Sequence, residues 1–433
     1  MVSDTAEHPA RLDADRVYAR IAWRLVPFLF ACYVCAYLDR VNVGFAKLRM
    51  LDALGFSEAV YGLGAGIFFL GYTLFEVPSN LLMLKIGARR TIARIMIAWG
   101  LLSAAMMFVE SPTGFYVLRF LLGVAEAGFF PGIILYLTFW FPAARRGRVT
   151  ALFATAVALS TVIGAPLSGV IMQHLDGAHG WAGWQWLFLI EGLPSVAFGL
   201  AALAFLDDRV ADATWLTADE RALVAADIAA EQAAISHHGA LDGLRLPGVW
   251  LMGLIYFCVV AGLYGLNFWL PSIVRDLGYD DVVTIGLVTA LPFAAATVAM
   301  VVVGHSADRR NERRWHAAGP ILAGAVGLVL SVLLADTPAL AVAALTLAAC
   351  GILGGLPQCW SLATAFLGGS AAAAGIALIN SLGNLAGFAA PAAIGWIVET
   401  TGSTGGGVYG LAVALVIGAG LILGLRHGRA GQS

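Results

Sequence analysis

Asp39, Arg40, Glu76, Arg119, Glu126 and Glu191 stand inside long apolar stretches of this 433-residue chain. A charged group at the centre of a bilayer costs about 2.5–3.5 kcal/mol on insertion scales, so each is a functional candidate. Arg40 offers a planar fork of donors that matches a carboxylate in bidentate fashion. Glu126 is a carboxyl that can exchange pairing with an arginine for a proton. A substrate anion arriving at the arginine relieves that pairing, so protonation and anion binding become coupled. Asp39, Arg40, Arg119 and Glu126 together suit proton-coupled anion carriage. The competing reading is a buried ion pair that only fixes helix packing. Two acids and two guanidiniums, in a medium where idle charge is costly, favour the functional reading.

Other polar groups interrupt the apolar stretches. Tyr37 lies one turn before Arg40, and Tyr72 lies mid-span. Further along stand Tyr264, Asn267, Trp269, Gln358, Trp360, Asn380 and Asn384. Hydroxyls, amides and an indole N–H can bind substrate hydroxyls or a carboxylate. Singly, each is equally suited to interhelical hydrogen bonding, worth under about 2 kcal/mol. Glu76 precedes Val77-Pro78-Ser79-Asn80 and reads as a latch on the adjoining loop. Glu191 follows Trp184 and Trp186, which read as an interfacial aromatic belt, and is itself read as structural.

Other chemistries find no support. No HExxH or paired CxxC occurs, so no metal site is expected. Cys32-x-x-Cys35 lies in an apolar run, where thiolates are not made cheaply. Gly62-x-Gly64-x-Gly66 lacks a preceding strand and reads as a helix-packing surface rather than a nucleotide loop. No nucleophile–base pair points to an enzyme. The net charge of −2 gives no footprint for nucleic acid. Protons are the expected coupling ion, with no cofactor, and the expected partners are a small organic anion and the lipid bilayer around a monomer.

The elements that must hold these residues follow from composition. Sixty per cent of the chain is hydrophobic and 12% is charged, with a mean hydropathy of +0.85. A soluble chain cannot hide that much apolar surface. A span needs roughly 20 apolar residues. The pattern predicts twelve, at 24–46, 59–84, 92–109, 114–141, 149–173, 184–206, 248–272, 282–304, 316–335, 338–364, 374–398 and 405–425. The expected fold is an all-α integral membrane protein of two pseudo-symmetric six-helix bundles, 24–206 and 248–425. A cytoplasmic segment 1–23, a linker 207–247 and a tail 426–433 flank them. Thr217-Ala218-Asp219-Glu220 is a capping-box pattern that predicts a short acidic helix in the linker. No cleavable signal peptide is expected.

Placing both termini in the cytoplasm puts 20 of the 25 basic residues inside, and only Lys47, Arg49 and Arg275 outside. Asp39 and Arg40 then lie roughly 22 Å from the inner face, at 1.5 Å per residue, and Arg119 roughly 8 Å from the outer face. In a core of about 30 Å those depths coincide. Glu126, two turns further on, shares a helix face with Arg119. Two loops echo each other: Gly87-Ala88-Arg89-Arg90 after span 2, and Gly304-His305-Ser306-Ala307-Asp308-Arg309 after span 8. Repeated halves point to a transporter with its site at the midplane between them. Glu76, Asn80, Arg89, Arg90, Asp308 and Arg309 form the expected gating set.

Several ordered motifs carry a family resemblance. They are Tyr37-Leu38-Asp39-Arg40-Val41-Asn42-Val43-Gly44-Phe45, Phe75-Glu76-Val77-Pro78-Ser79-Asn80 and Gly87-Ala88-Arg89-Arg90. They continue with Arg119-Phe120-Leu121-Leu122-Gly123-Val124-Ala125-Glu126-Ala127-Gly128-Phe129-Phe130-Pro131 and Gly183-Trp184-Gln185-Trp186. In the second half stand Tyr264-Gly265-Leu266-Asn267-Phe268-Trp269-Leu270-Pro271 and Gly375-Ile376-Ala377-Leu378-Ile379-Asn380-Ser381-Leu382-Gly383-Asn384. The chain resembles the major facilitator superfamily throughout, and within it the anion:cation symporters, close to bacterial tartrate, phthalate and hydroxyphenylacetate permeases. The resemblance implies proton-driven uptake across a bacterial inner membrane. It implies Asp39 and Glu126 as protonation sites, Arg119 poising Glu126, and Arg40 as the carboxylate ligand. It implies that Tyr37, Tyr72, Trp360 and Asn380 line the cavity. Asn80 and Lys85 depart from the superfamily's usual acidic and Asp-Arg positions, whereas Asp308 and Arg309 keep theirs. The alternative is a proton-driven exporter on the same fold, which would favour acids without the arginine pair.

Overall fold

In hydrocarbon every backbone N–H and C=O must be satisfied within its own segment, so apolar runs of this length fold as helices. The computed structural model describes residues 13–234, 246–366 and 371–425, and these are helical throughout with no strand among them. The first half comprises α1 (Ala14–Leu54), α2 (Glu58–Ile86), α3 (Ala88–Ala105), α4 (Pro112–Glu126), α5 (Phe129–Thr138), α6 (Ala143–Ala154), α7 (Ala156–His174) and α8 (Gly183–Phe205). After α9 (Ala218–Ala234) come α10 (Pro247–Asp276), α11 (Val282–Arg310), α12 (Arg314–Leu333), α13 (Pro338–Phe366), α14 (Ala371–Thr401) and α15 (Gly405–Gly424). Among the described residues, twelve segments are long and apolar enough to cross a membrane, with α4 and α5 together forming the fourth. Parts of the expected terminal segments and linker, at 1–12, 235–245 and 426–433, lie outside the described residues.

Three helices differ from the sequence pattern. The first runs 41 residues rather than the expected 24–46, about 60 Å at 1.5 Å per residue. Asp13 caps its start and Gly55, at φ 65°, ends it. The fourth span is not continuous. It stops at Glu126, passes Ala127 and Gly128, and restarts at Phe129. Gly128 has φ 83°, and a Cβ there would lie 2.8 Å from the Ser79 Cβ, so both backbone and space demand glycine. The fifth span is shorter than the expected 149–173, because the helix is divided into α6 and α7 and the apolar crossing stretch is Ala156–His174. Trp184 is buried against the helix core rather than held in a belt, while Trp186 donates to the Ala178 carbonyl at 3.1 Å.

The linker helix is docked. Its capping box forms as the pattern predicts, with Glu220 N–H donating to Thr217 Oγ1 at 3.2 Å and Thr217 N–H to Glu220 at 2.8 Å. Its acidic side chains then reach the first half. Glu220 pairs with Arg20 at 3.0 Å, Asp227 accepts from Tyr18 at 2.8 Å, and Glu231 pairs with Arg146 at 3.1 Å.

At the end remote from α9, small residues let the first and last six spanning helices close on each other. Gly62 and Gly66 of α2 pack on Pro391, Gly395 and Phe388 of α14, and Gly44 of α1 packs on the Phe268 carbonyl of α10. The α2 N-terminus is capped across this seam, Ala59 N–H donating to Glu399 at 3.0 Å. Lys47, expected in an outer loop, instead lies buried in α1, paired with Glu58 at 2.7 Å and 3.7 Å from the Trp269 ring centroid. A neighbouring carboxylate and two aromatic faces offset the cost of burying the ammonium.

A Cβ on Gly62 would sit 2.5 Å from the Pro391 carbonyl oxygen and 2.9 Å from the Gly395 Cα. Overpacking costs about 1–3 kcal/mol, so Gly62→Val should shift the protein roughly 5- to 150-fold toward states with this end apart. Spin labels at Asp52 and Ser403 would report the widened distance. An unchanged distribution would show that this packing does not hold the end shut.

Candidate functional site

A cavity of about 490 Å³ lies between the two sets of helices, from the level of Arg40 toward the linker end. Arg40 reaches it from α1. Its Nη2 forms an ion pair with Glu126, the last residue of α4, and its Nη1 donates to Tyr264 Oη at 3.2 Å. The guanidinium carbon lies 5.5 Å from the ring centroids of Tyr37, Phe68 and Tyr72. Both partners of the pair are buried, their side chains 8% and 1% exposed. Breaking such a pair by removing one partner costs about 3–5 kcal/mol. Arg40 Nε and Glu126 Oε2 have no hydrogen-bond partner among the described residues, so the pair retains capacity for a third group. The helix break after Glu126 frees the chain at that depth, a feature membranes tolerate only where backbone is buried in protein or lines a cavity.

Asp39 faces elsewhere. Adjacent helix residues point about 100° apart, and Asp39 turns into the first-half bundle while Arg40 faces the cavity. It accepts from Ser103 at 2.7 Å, from Ser195 at 3.0 Å and from Asn42 at 3.5 Å. Glu191 accepts from Ser168 at 2.8 Å, also inside that bundle. Arg119 does not contact Glu126. Its Nε and Nη2 donate to the carbonyls of Gly64 and Ala65 at 3.2 and 3.3 Å, under the Phe68 ring. Two turns of α4 separate it from Glu126, which puts them on one face but roughly 10 Å apart along the axis. Arg40, reaching in from α1, is the arginine that arrives.

The sequence-derived cavity residues divide. Tyr37, Tyr72, Tyr264, Trp360, Asn380 and Asn384 line the cavity with Arg40. Asn267 sits behind it, donating to the Tyr37 hydroxyl at 3.3 Å. Gln358 lies one step off the face of Pro357 and Trp360 and accepts from Arg313 at 3.0 Å. Arg313 also pairs with Asp308, so Gln358 belongs to the loop between α11 and α12. Glu76, expected as a loop latch, accepts from Asn380 at 2.9 Å and Asn384 at 3.4 Å and so bridges α2 to α14 at the cavity edge. The two amides are four residues apart on one helix face, which is why one carboxylate takes both.

The remaining loop residues stay at the linker end. Asn80 donates to the Glu76 carbonyl at 3.0 Å, and Arg89 N–H donates to Asp208 at 2.8 Å. Arg90 and Arg309 are exposed. Sequence reasoning missed Tyr33, Phe130 and Tyr256, which also line the cavity. Tyr33 stands four residues before Tyr37 and seven before Arg40, the helical spacing that shares a face. Tyr256 stands eight before Tyr264, so the same spacing extends the α10 face. Its ring meets Trp360 at 4.9 Å between centroids.

A family model described as the Major Facilitator Superfamily matches residues 29–391. The chain is 51% identical over 410 residues to the "Putative tartrate transporter" of Agrobacterium vitis, covering 94% of this chain and 91% of that one. It is 48% identical over 411 residues to the "Putative metabolite transport protein NicT" of Pseudomonas putida, covering 94% of each. A bacterial homologue of the human lysosomal transporter Spinster, solved in an inward-facing, unoccupied conformation, aligns with a TM-score of 0.74. It does so at 16% identity, over 94% of this chain and 95% of that one.

Proposed function

The chain belongs to the major facilitator superfamily of multi-pass membrane transporters, and on that premise we propose that it takes up a small organic carboxylate together with protons by alternating access. The observation that carries this reading is the Arg40–Glu126 pair at the cavity wall. An arriving carboxylate competes with Glu126 for the guanidinium. Released, Glu126 takes a proton, which avoids leaving a bare carboxylate in low dielectric. Asp39, held by Ser103 and Ser195 behind the cavity, is a second proton site, on the helix that carries Arg40. The names of the tartrate and metabolite transporters fit a small-metabolite cargo.

We assign 24–206 and 248–425 as the rocking bundles and the α9 end as cytoplasmic, following the basic residues, in a bacterial inner membrane. Opening the remote end requires parting Ala59 from Glu399 and Lys47 from Trp269. Asp308, Arg309, Arg313, Asn80, Arg89 and Arg90 act at the opposite gate. Each proton coupled to an uncharged overall step supports about a tenfold cargo gradient per pH unit, or ~1.4 kcal/mol. In proteoliposomes an acid-outside gradient should therefore drive accumulation of the carboxylate, and a protonophore should collapse it. Accumulation indifferent to the gradient would overturn proton symport. Cargo moving against the direction of proton flow would identify an exporter on the same fold.

A further inference from the structure

We propose that Glu191 carries a coupling proton, as one member of a carboxyl pair with Asp39 that is buried inside the first-half bundle and loads when the remote end opens. The inference rests on the proton-symport reading above and adds to it a residue and a route that bypass the cargo cavity.

Two antiparallel helices set the pair. α1 runs away from the linker end and α8 runs back toward it. Ser195 of α8 donates to Asp39 of α1 at 3.0 Å. One turn nearer the remote end, Glu191 and Asn42 stand on the same two helices, four and three residues from that contact, and they also meet. Asn42 Nδ2 donates to Asp39 Oδ1 at 3.5 Å as well, so one amide touches both carboxyls. Asp39 and Glu191 are 1% and 3% exposed, and neither lines the cargo cavity.

The donors around the two carboxyls are unequal. Asp39 accepts from Ser103, Ser195 and Asn42 and faces the Trp99 indole. Glu191 Oε1 accepts from Ser168 at 2.8 Å, but its Oε2 has no donor among the described residues. The carbonyl oxygen of Asn42 is likewise buried without one. Idle buried acceptors are costly, and a proton on Glu191 turns one of them into a donor. Two carboxyls that share one amide in low dielectric cannot both be anions, so the pair holds a proton. The other titratable neighbours are Cys35 of α1, near both carboxyls, and Glu126 of α4, which acts on Asp39. In the inward step the Glu191 O–H breaks and an Asp39 O–H forms, and Glu191 recovers a proton from water at the remote end.

Opening reaches this pair through α7. Ser168, the donor to Glu191, is followed by Gly169, where a Cβ would sit 2.6 Å from the Val282 carbonyl oxygen of α11. Gly286 of α11 packs as closely on α7, a Cβ there lying 2.4 Å from the Ala165 carbonyl oxygen. One face of α7 thus closes the seam between the two halves while the adjoining face holds Glu191. Glu191 stands about 12 Å along α8 from its start at Gly183, at 1.5 Å per residue. Parting the seam therefore brings water toward Glu191 first, with Asp39 one turn deeper.

The first measurement uses the purified full chain without cargo. Infrared spectra across a pH series read protonated carboxyls by their C=O stretch. Glu191→Gln should delete one band and move the titration midpoint of the Asp39 band, identified by Asp39→Asn, by about one pH unit, as for sites that titrate as a pair. Ser168→Ala, which leaves both carboxyls in place, should move the Glu191 midpoint and serves if the glutamine variant does not fold. Gly62→Val, which loosens the remote end, should speed deuterium exchange at the Glu191 carboxyl at least fivefold. In proteoliposomes, with L-tartrate, gluconate and benzoate as probes, Glu191→Gln should keep counterflow and lose about tenfold of the accumulation per pH unit. Glu191→Asp, which restores a carboxyl, should recover part of it. No band lost in Glu191→Gln, an Asp39 midpoint that stays put, or wild-type accumulation in that variant would overturn the assignment. Unchanged exchange in Gly62→Val would overturn the loading route. Wild-type accumulation that ignores the pH gradient would instead overturn proton symport. If none of the three probes exchanges, the carboxylate reading falls and the spectra alone decide the role of Glu191.

Discussion

Arg40→Ala should abolish carboxylate binding and uptake. The substitution removes the guanidinium at the cavity wall and leaves Glu126 buried without its partner. Losing one side of a buried, hydrogen-bonded charge pair costs about 3–5 kcal/mol, which if expressed in binding is roughly a 10²- to 4 × 10³-fold loss of affinity. Part of that cost falls on the empty protein, because the bilayer interior offers Glu126 no water. Proton uptake by Glu126 limits this part, so the variant should fold and insert while failing to bind. Arg40→Lys separates charge from geometry. An ammonium keeps the charge but loses the planar fork that reaches Glu126 and Tyr264 at once, so it should retain only a minor share of the affinity. Calorimetry on the detergent-purified variants, with helicity by circular dichroism as the folding control, reads both. Normal affinity in Arg40→Ala would remove the carboxylate clamp from the mechanism.

Glu126→Gln should uncouple the proton from the cargo. The amide carbonyl can still accept from Arg40, so the cavity keeps its shape and binding persists. What the variant lacks is a group that exchanges pairing with Arg40 for a proton. Counterflow exchange of labelled for unlabelled cargo should continue. Accumulation in response to an acid-outside gradient should fall from about tenfold per pH unit for each coupled proton to no gradient at all. Unchanged accumulation would displace the coupling role from Glu126. Asp39→Asn is the informative companion, because Asp39 touches Ser103, Ser195 and Asn42 but no cavity group. A loss of coupling there would have to pass through the first-half bundle rather than through the cargo.

The span count and the depths of the charged residues were legible in the sequence for one reason. A membrane forces each crossing segment to satisfy its own backbone and to shed charge, so position along the chain converts almost directly into depth. The face on which a side chain emerges was partly legible as well. Tyr37, Arg40, Tyr264, Trp360 and the Asn380 and Asn384 pair share the cavity through helical spacing alone. Tyr33 and Tyr256 carry the same spacing signal.

The pairing of charges required the fold. Read along α4, Arg119 is the natural neighbour of Glu126, yet it spends its donors on the carbonyls of Gly64 and Ala65. The partner comes from α1, and no periodicity within one helix reveals which side chain crosses from another. The break at Ala127 and Gly128 likewise depends on Ser79 of α2 standing where a Cβ would go. Gln358 and Glu76 exchanged expected roles because Arg313 and Asn380 lie within reach only after the second half has folded. Lys47 was placed in water by its charge and is buried by Glu58 and Trp269. The sequence by itself determined a twelve-span membrane protein with scarce mid-membrane charges, because hydrocarbon acts on each segment separately. Only the tertiary structure decided which of those charges meet, since ion pairs, caps and cavity walls are made between segments.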